Sequence, residues 1–222
     1  MRLAQTPARV AELERDVAIA RDAGLEVDFI SPEEARERFP RLRVDDVLRV
    51  SCCASDGYLD PPMLAKVYIK LCRDVGVKFI TRTPVEKFLT RGGAVTGVKA
   101  RGLAYYAPIV VNATGPWAYL VAGKGGQDLP TAGIAHFYFT TRPDSGIECP
   151  DSTPTLRDRD LRIYVRPSLG RLRVGMYETM PLEQDMAALP DDYDMRKMQP
   201  GADMPVLRAL MGYGAKSRIH TA

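Results

Sequence analysis

The sequence predicts a mixed α+β fold, and three observations carry that prediction. Helix starts are written out with their caps, the apolar period changes from helical to alternating after Gly76, and an apolar run at 108–111 ends in a turn of small residues. The first helix opens at Thr6-Pro7, a capping residue followed by a ring whose fixed φ suits the first turn. Val10, Leu13, Val17 and Ala20 then fall on one face, and Gly24 closes it. After a short apolar strand, Val27 to Ile30, Ser31-Pro32-Glu33-Glu34 spells a capping box, and Pro40 ends the helix it starts. Asp60-Pro61 starts a third helix by the same logic, with Leu64, Val67, Leu71 and Val75 as its stripe and Gly76 as its stop.

From there the pattern is that of strands. Val77 to Thr81, Val85 to Thr90, Ala94 to Ala100 and Leu103 to Asn112 are expected as strands, separated by turns at Thr83-Pro84, Arg91-Gly92-Gly93 and Arg101-Gly102. Within the last of them, Pro108 to Val111 is apolar without alternation, as in a strand buried on both faces and parallel to its neighbours. It runs into Thr114-Gly115-Pro116-Trp117 and a new helix. That connection is either a place where an α/β sheet meets a ligand or an ordinary strand-to-helix link, and the residue chemistry alone does not choose. In the last third Ile134 to Thr141, Leu161 to Arg166 and Leu172 to Tyr177 are expected strands, the last two joined by a hairpin loop at Pro167-Ser168-Leu169-Gly170. Arg142 to Asp160 reads as loop, and Pro205 to Met211 as a short helix.

Composition bounds the function. The 222 residues are 45% hydrophobic and 27% charged, enough for a sizeable core and unlike a disordered or fibrous chain. Thirty-one Lys and Arg against 28 Asp and Glu leave a formal charge of +3, too small and dispersed to predict a nucleic-acid partner. No stretch approaches the roughly 18 apolar residues of a membrane span, and residues 1–23 have no signal-peptide core, so a soluble, unexported, cytoplasmic protein is expected. Four cysteines (Cys52, Cys53, Cys72, Cys149) without a C-x-x-C pair, and only two histidines, allow no zinc constellation; no metal is expected, and the thiols are read as reduced and buried or half-buried. The strand, G-x-G-x-x-G, helix signature is absent; Gly123-Lys124-Gly125-Gly126 lacks the third glycine and reads as loop.

The order of segments carries a further signal. Asp56-Gly57-Tyr58-Leu59-Asp60-Pro61, Gly76-Val77, Thr83-Pro84-Val85, Gly97-Val98, Gly102 and Val110-Val111-Asn112-Ala113-Thr114-Gly115-Pro116-Trp117 resemble the middle of the FAD-dependent amino acid oxidase family. His136-Phe137-Tyr138, Leu156-Arg157-Asp158, Tyr164-Val165-Arg166-Pro167 and Val174-Gly175-Met176-Tyr177-Glu178 continue the match, closest to the dimethylglycine and sarcosine dehydrogenase branch. The resemblance implies part of a discontinuous FAD/NAD(P)-binding domain plus an antiparallel-sheet substrate domain. It assigns residues 1–50 to substrate-domain helices, 51–125 to the second portion of the FAD domain and 126–222 to a truncated substrate sheet. The implied cofactor is FAD, the implied substrate a small N-methyl amine, and the implied compartment the mitochondrial matrix in a eukaryote; the electron acceptor is not specified. The family's Gly-rich βαβ unit is not in this sequence, so the chain alone is expected to bind FAD weakly.

Carried across residue by residue, Val85 matches a position meeting the adenine side of FAD, Trp117 a second contact, and Ala113, Thr114 and Gly115 the turn beside the cofactor. Without the resemblance Val85 reads as an ordinary strand residue and Trp117 as a core aromatic. His136 and Tyr164 resemble the histidine and tyrosine of the substrate cavity, and Arg166, two residues along the same strand, shares a face with Tyr164 and is placed to meet a carboxylate. Their plainer readings are half-buried strand residues and an interstrand ion pair. A non-catalytic relative acting through protein contacts is the alternative function, since fold alone does not set activity.

Overall fold

The computed structural model describes residues 1–142, 145–190 and 217–220. Three helices form where their caps are written. In α1 (Pro7–Asp22) the Thr6 hydroxyl accepts from Arg9 N, Leu13 and Val17 are buried, and Gly24 follows with φ +85°. In α2 (Pro32–Arg38) both halves of the capping box are made: Glu34 N donates to Ser31 Oγ at 3.0 Å and Ser31 N to Glu34 Oε2 at 2.7 Å. In α3 (Pro61–Asp74) Asp60 Oδ1 accepts from Met63 N at 3.0 Å. A short α4 (Ala118–Gly123) follows the turn at 112–117.

The chain divides into two units. The first comprises residues 1–58, 136–181 and 217–220 and is built on one sheet. Its strands are β1 (Arg2–Ala4), β2 (Val27–Ile30), β3 (Arg49–Cys53), β8 (Tyr138–Thr140), β9 (Leu156–Asp158), β10 (Ile163–Ser168) and β11 (Arg171–Met176), in the order β2-β3-β1-β9-β10-β11-β8. Every neighbouring pair is antiparallel except β1 and β9, which run parallel with Arg2 opposite Arg157. The core lies on one face, where Leu3, Val50, Leu156, Ile163, Val165, Leu172 and Val174 pack with Phe39 and Leu42. The alternation along β10 puts Ile163, Val165 and Pro167 in that core and leaves Tyr164, Arg166 and Ser168 on the opposite face. Its hairpin to β11 is tighter than the four-residue loop expected. Only Leu169 and Gly170 lie between the strands, with φ +55° and +73°, as a two-residue turn with both φ positive requires.

The second unit comprises residues 59–135 and 182–190. It holds α3, α4, a meander of β4 (Val85–Arg91), β5 (Ala94–Ala100) and β6 (Leu103–Tyr106), and a two-stranded pair of β7 (Gly133–Ala135) with β12 (Leu182–Gln184). Gly97 is buried opposite Tyr106, and a methyl group there would sit on the Tyr105 carbonyl oxygen, which as backbone cannot swing aside. Gly97→Ala is therefore expected to part β5 from β6 and cost at least about 1–3 kcal/mol, read as a lower thermal midpoint; an unchanged midpoint would refute the close approach.

Several expected elements differ. Residues 77–81 form no strand, and the strand expected over Leu103 to Asn112 stops at Tyr106. Pro108 to Val111 lies in no strand: Ile109 and Val111 are each 78% exposed, because none of the described strands offers it a ladder. Ile134 to Thr141 is not one strand but two, β7 and β8, broken at His136-Phe137 and belonging to different sheets. The presumed loop Arg142 to Asp160 contains β9. The helix expected at Pro205 to Met211 lies outside the described residues. On α3 no residue is buried, and its stripe of Val67, Leu71 and Val75 is exposed.

Candidate active site

Three of the residues singled out from the sequence meet in one cleft of the first unit, of about 410 Å3: His136, Tyr164 and Arg166. Sheet register explains the meeting. Tyr164 on β10 is opposite Gly175 on β11, and Gly175 is opposite Tyr138 on β8. Gly175 has no side chain, so the Tyr164 ring lies over its Cα, where any Cβ would overlap the phenol. Arg166 is one step along the same face, opposite Arg173, whose guanidinium sits 4.5 Å from the Tyr138 ring centroid.

Residues that the sequence placed in matching segments without assigning them a role complete the cleft. Tyr177 follows β11 and stands between two of the predicted residues, its ring 5.8 Å from Tyr164 and 6.0 Å, edge on, from His136. The chain there is held by a hydrogen bond from Tyr177 N to Arg162 O at 2.8 Å. Tyr58 lies 4.8 Å from the Arg166 guanidinium and donates its hydroxyl to Asp151 Oδ1 at 3.4 Å. Arg157 adds a second cation to the lining. Behind the imidazole, the Glu178 side chain is 5% exposed while that of His136 is 54% exposed; Glu178 Oε2 lies 2.7 Å from His136 Nδ1, and Oε1 accepts from Phe137 N at 3.3 Å. The sequence signal for these was weak: Gly175 facing an aromatic becomes visible only once the register is known.

Burial keeps the phenols of Tyr164 and Tyr58 neutral. Burial pushes the Tyr164 hydroxyl above its ordinary range, reinforced by Tyr177 and opposed by Arg166 and Arg173. Tyr58 is pushed up as well, by desolvation first and then by Asp151. Both therefore remain protonated donors at neutral pH. The cleft thus offers an imidazole backed by a carboxylate, phenol donors and a guanidinium: groups suited to a small molecule carrying both an amine and an anionic end.

The other predicted residues lie in the second unit. Ala113, Thr114 and Gly115 are exposed, Gly115 with φ +58°, and Trp117 is half-buried in the single 3-10 turn Gly115–Trp117. Asn112 shapes this bend: its Oδ1 accepts from Thr114 Oγ1 at 2.7 Å, and its Nδ2 donates to Ala118 O at 2.9 Å. No side chain caps the helical turn that follows. Val85 begins β4, half-buried, and its carbonyl accepts from Lys124 Nζ at 2.6 Å. The four cysteines are unpaired, Cys52 and Cys149 buried and the other two half-buried. Among the described residues no group of three or more His, Cys, Asp or Glu is arranged to hold a metal ion, and no helix is long and apolar enough to cross a membrane.

A family model described as FAD dependent oxidoreductase (DAO) matches residues 1–209. Human mitochondrial sarcosine dehydrogenase is 28% identical over 187 residues, which cover 81% of this chain and 20% of that protein. The mitochondrial pyruvate dehydrogenase phosphatase regulatory subunit of Mus musculus is 31% identical over 182 residues, with the same two coverages. Among solved structures, L-proline dehydrogenase from P. horikoshii superposes with a TM-score of 0.81 at 24% identity, over 98% of this chain and 55% of that one. The chain therefore spans about a fifth of the length of these curated relatives.

Proposed function

This chain belongs to the FAD-dependent oxidoreductase (DAO) family, and from that premise we propose that it forms the substrate cleft and part of the cofactor surface of an enzyme oxidising an N-methylated amine or amino acid of the sarcosine and dimethylglycine type. The supporting observation is the convergence of His136, Tyr164 and Arg166 on one cleft. In this reading Arg166 pairs with the substrate carboxylate, the Tyr164 hydroxyl donates to it, and His136 receives the amine. The unit carrying β8 to β11 is the substrate part, and the unit carrying the 112–117 bend is the cofactor part.

The bend suits a bulky group in contact with backbone: Ala113, Thr114 and Gly115 are small and exposed, and Gly115 takes a positive φ of +58° that keeps a side chain out of the way. Ala113 to Gly115, Trp117 and Val85 are the residues that would hold FAD on this chain. When bound, FAD supplies the two-electron acceptor. The proposed compartment is the cytoplasm or, in a eukaryote, the mitochondrial matrix; only the second is supported by analogy with relatives named as mitochondrial.

The gene product at its natural length is expected to be yellow, and anaerobic addition of sarcosine or dimethylglycine is expected to bleach its visible flavin absorption. A protein that binds flavin yet stays oxidised with every N-methyl amino acid tested would refute the substrate. A colourless protein that binds another polypeptide would instead support a second reading, a non-catalytic regulator, which the 31% identity to a phosphatase regulatory subunit favours.

A further inference from the structure

The buried Glu178 carboxylate takes no part in the reading above, yet both of its oxygens are committed to the imidazole and to the backbone beside it. Oε2 faces His136 Nδ1 at 2.7 Å and Oε1 accepts from Phe137 N at 3.3 Å. An ionised carboxylate has only acceptors, so the Nδ1 facing it must carry the hydrogen; a neutral imidazole has one such hydrogen, which leaves Nε2 with its lone pair. The edge-on contact with Tyr177 restrains the ring as well. We infer that Glu178 is the positioning residue of this cleft: it holds His136 in the Nδ1–H form so that Nε2 accepts the proton of a substrate ammonium. The inference rests on the amine-oxidising reading of the cleft.

The step balances without a redox partner. The substrate N–H bond breaks, the Nε2–H bond forms, and the amine is left with the lone pair it needs before the methyl carbon can be oxidised. The imidazolium so formed faces the carboxylate of Glu178 with its other N–H, which offsets the new charge.

The test is spectroscopic and needs no flavin. The sequence contains only two histidines, His136 and His220, so long-range proton–nitrogen correlation of the 15N-labelled chain resolves both rings, with His220→Gln assigning them. At a pH where the ring is neutral, His136 is expected as the Nδ1–H tautomer. Glu178→Leu is expected to return it to the Nε2–H form that an unconstrained imidazole prefers. Glu178→Gln, which retains an acceptor for Phe137 N and guards against a folding defect, is expected to give a mixture. In the flavin-loaded protein of natural length, Glu178→Gln should lower kcat for dimethylglycine by about 10- to 100-fold, part of the ~10²–10⁴ that general acid–base catalysis contributes, with KM little changed. An Nε2–H tautomer in the wild type, or a tautomer unmoved in both variants, would overturn the inference. If instead the wild-type flavin is not reduced by any N-methyl amine, the reading of the cleft falls, while the tautomer result still decides what Glu178 does to the imidazole.

Discussion

Asp158→Asn is expected to destabilise the first unit by about 3–5 kcal/mol, because it breaks a buried ion pair from one side only. The Asp158 and Arg218 side chains are both 0% exposed, with Arg218 Nε 2.7 Å from Asp158 Oδ2. Arg218 also donates to both oxygens of Asp46, at 2.8 and 3.1 Å, and to Arg43 O at 2.7 Å. Replacing the buried Asp158–Arg218 pair by apolar side chains would be far less costly, since its attraction is largely offset by its desolvation; removing Asp158 alone leaves Arg218 buried with the exposed Asp46 as its remaining carboxylate. Asparagine cannot substitute quietly. Asp158 Oδ2 accepts from Arg218 and from Gln5 Nε2 at 2.9 Å, and Oδ1 accepts from Leu161 N at 2.9 Å, so all its partners are donors and an amide must turn its NH2 against one of them. The check is a denaturant titration in which the midpoint falls while the slope is unchanged. A loss below about 1 kcal/mol, the scale of a surface pair, would show that Asp46 alone suffices as the counter-charge of Arg218.

Gly175→Ala is the second large effect, and it is expected in both stability and turnover. The new methyl would occupy the space of the Tyr164 phenol, and the ring, at the free end of its side chain, is what must yield. Overpacking of this kind costs about 1–3 kcal/mol, and the displaced phenol no longer lines the cleft. Under the proposed function, reduction of the flavin by an N-methyl amine is therefore expected to slow to the rate of Tyr164→Ala. A double-mutant cycle isolates the cause: Gly175→Ala in a Tyr164→Ala background should cost much less, with a coupling of about 1–3 kcal/mol between these touching sites. Simple additivity would mean that the ring does not lie over Gly175.

The helices were legible because their signals are local. Thr6-Pro7, Ser31 with Glu34, and Asp60-Pro61 each satisfy backbone N–H groups within three residues, and that chemistry does not depend on the rest of the chain. Strand pairing depends on distant residues. The three residues of β1 find their parallel partner at β9, with Arg2 opposite Arg157, and nothing near Leu3 announces it. Pro108 to Val111 shows the reverse error: the composition of a strand buried on both faces, but no described ladder beside it. In the cleft, alternation alone put Tyr164 and Arg166 on one face, and the structure agrees. Tyr58, Tyr177 and Glu178 join it through tertiary contacts that no short window of sequence contains.

The parallel seam between β1 and β9 sets an order of events during synthesis. Its two edges are separated by the entire stretch 59–135, which belongs to the other unit. A ribosome therefore releases β1, β2 and β3 long before the strand that completes their sheet, and the first segment of the other unit, residues 59–135, emerges while they wait. Closing so long a loop is slow, which leaves the early strands with an open edge to be shielded until translation has passed Asp158.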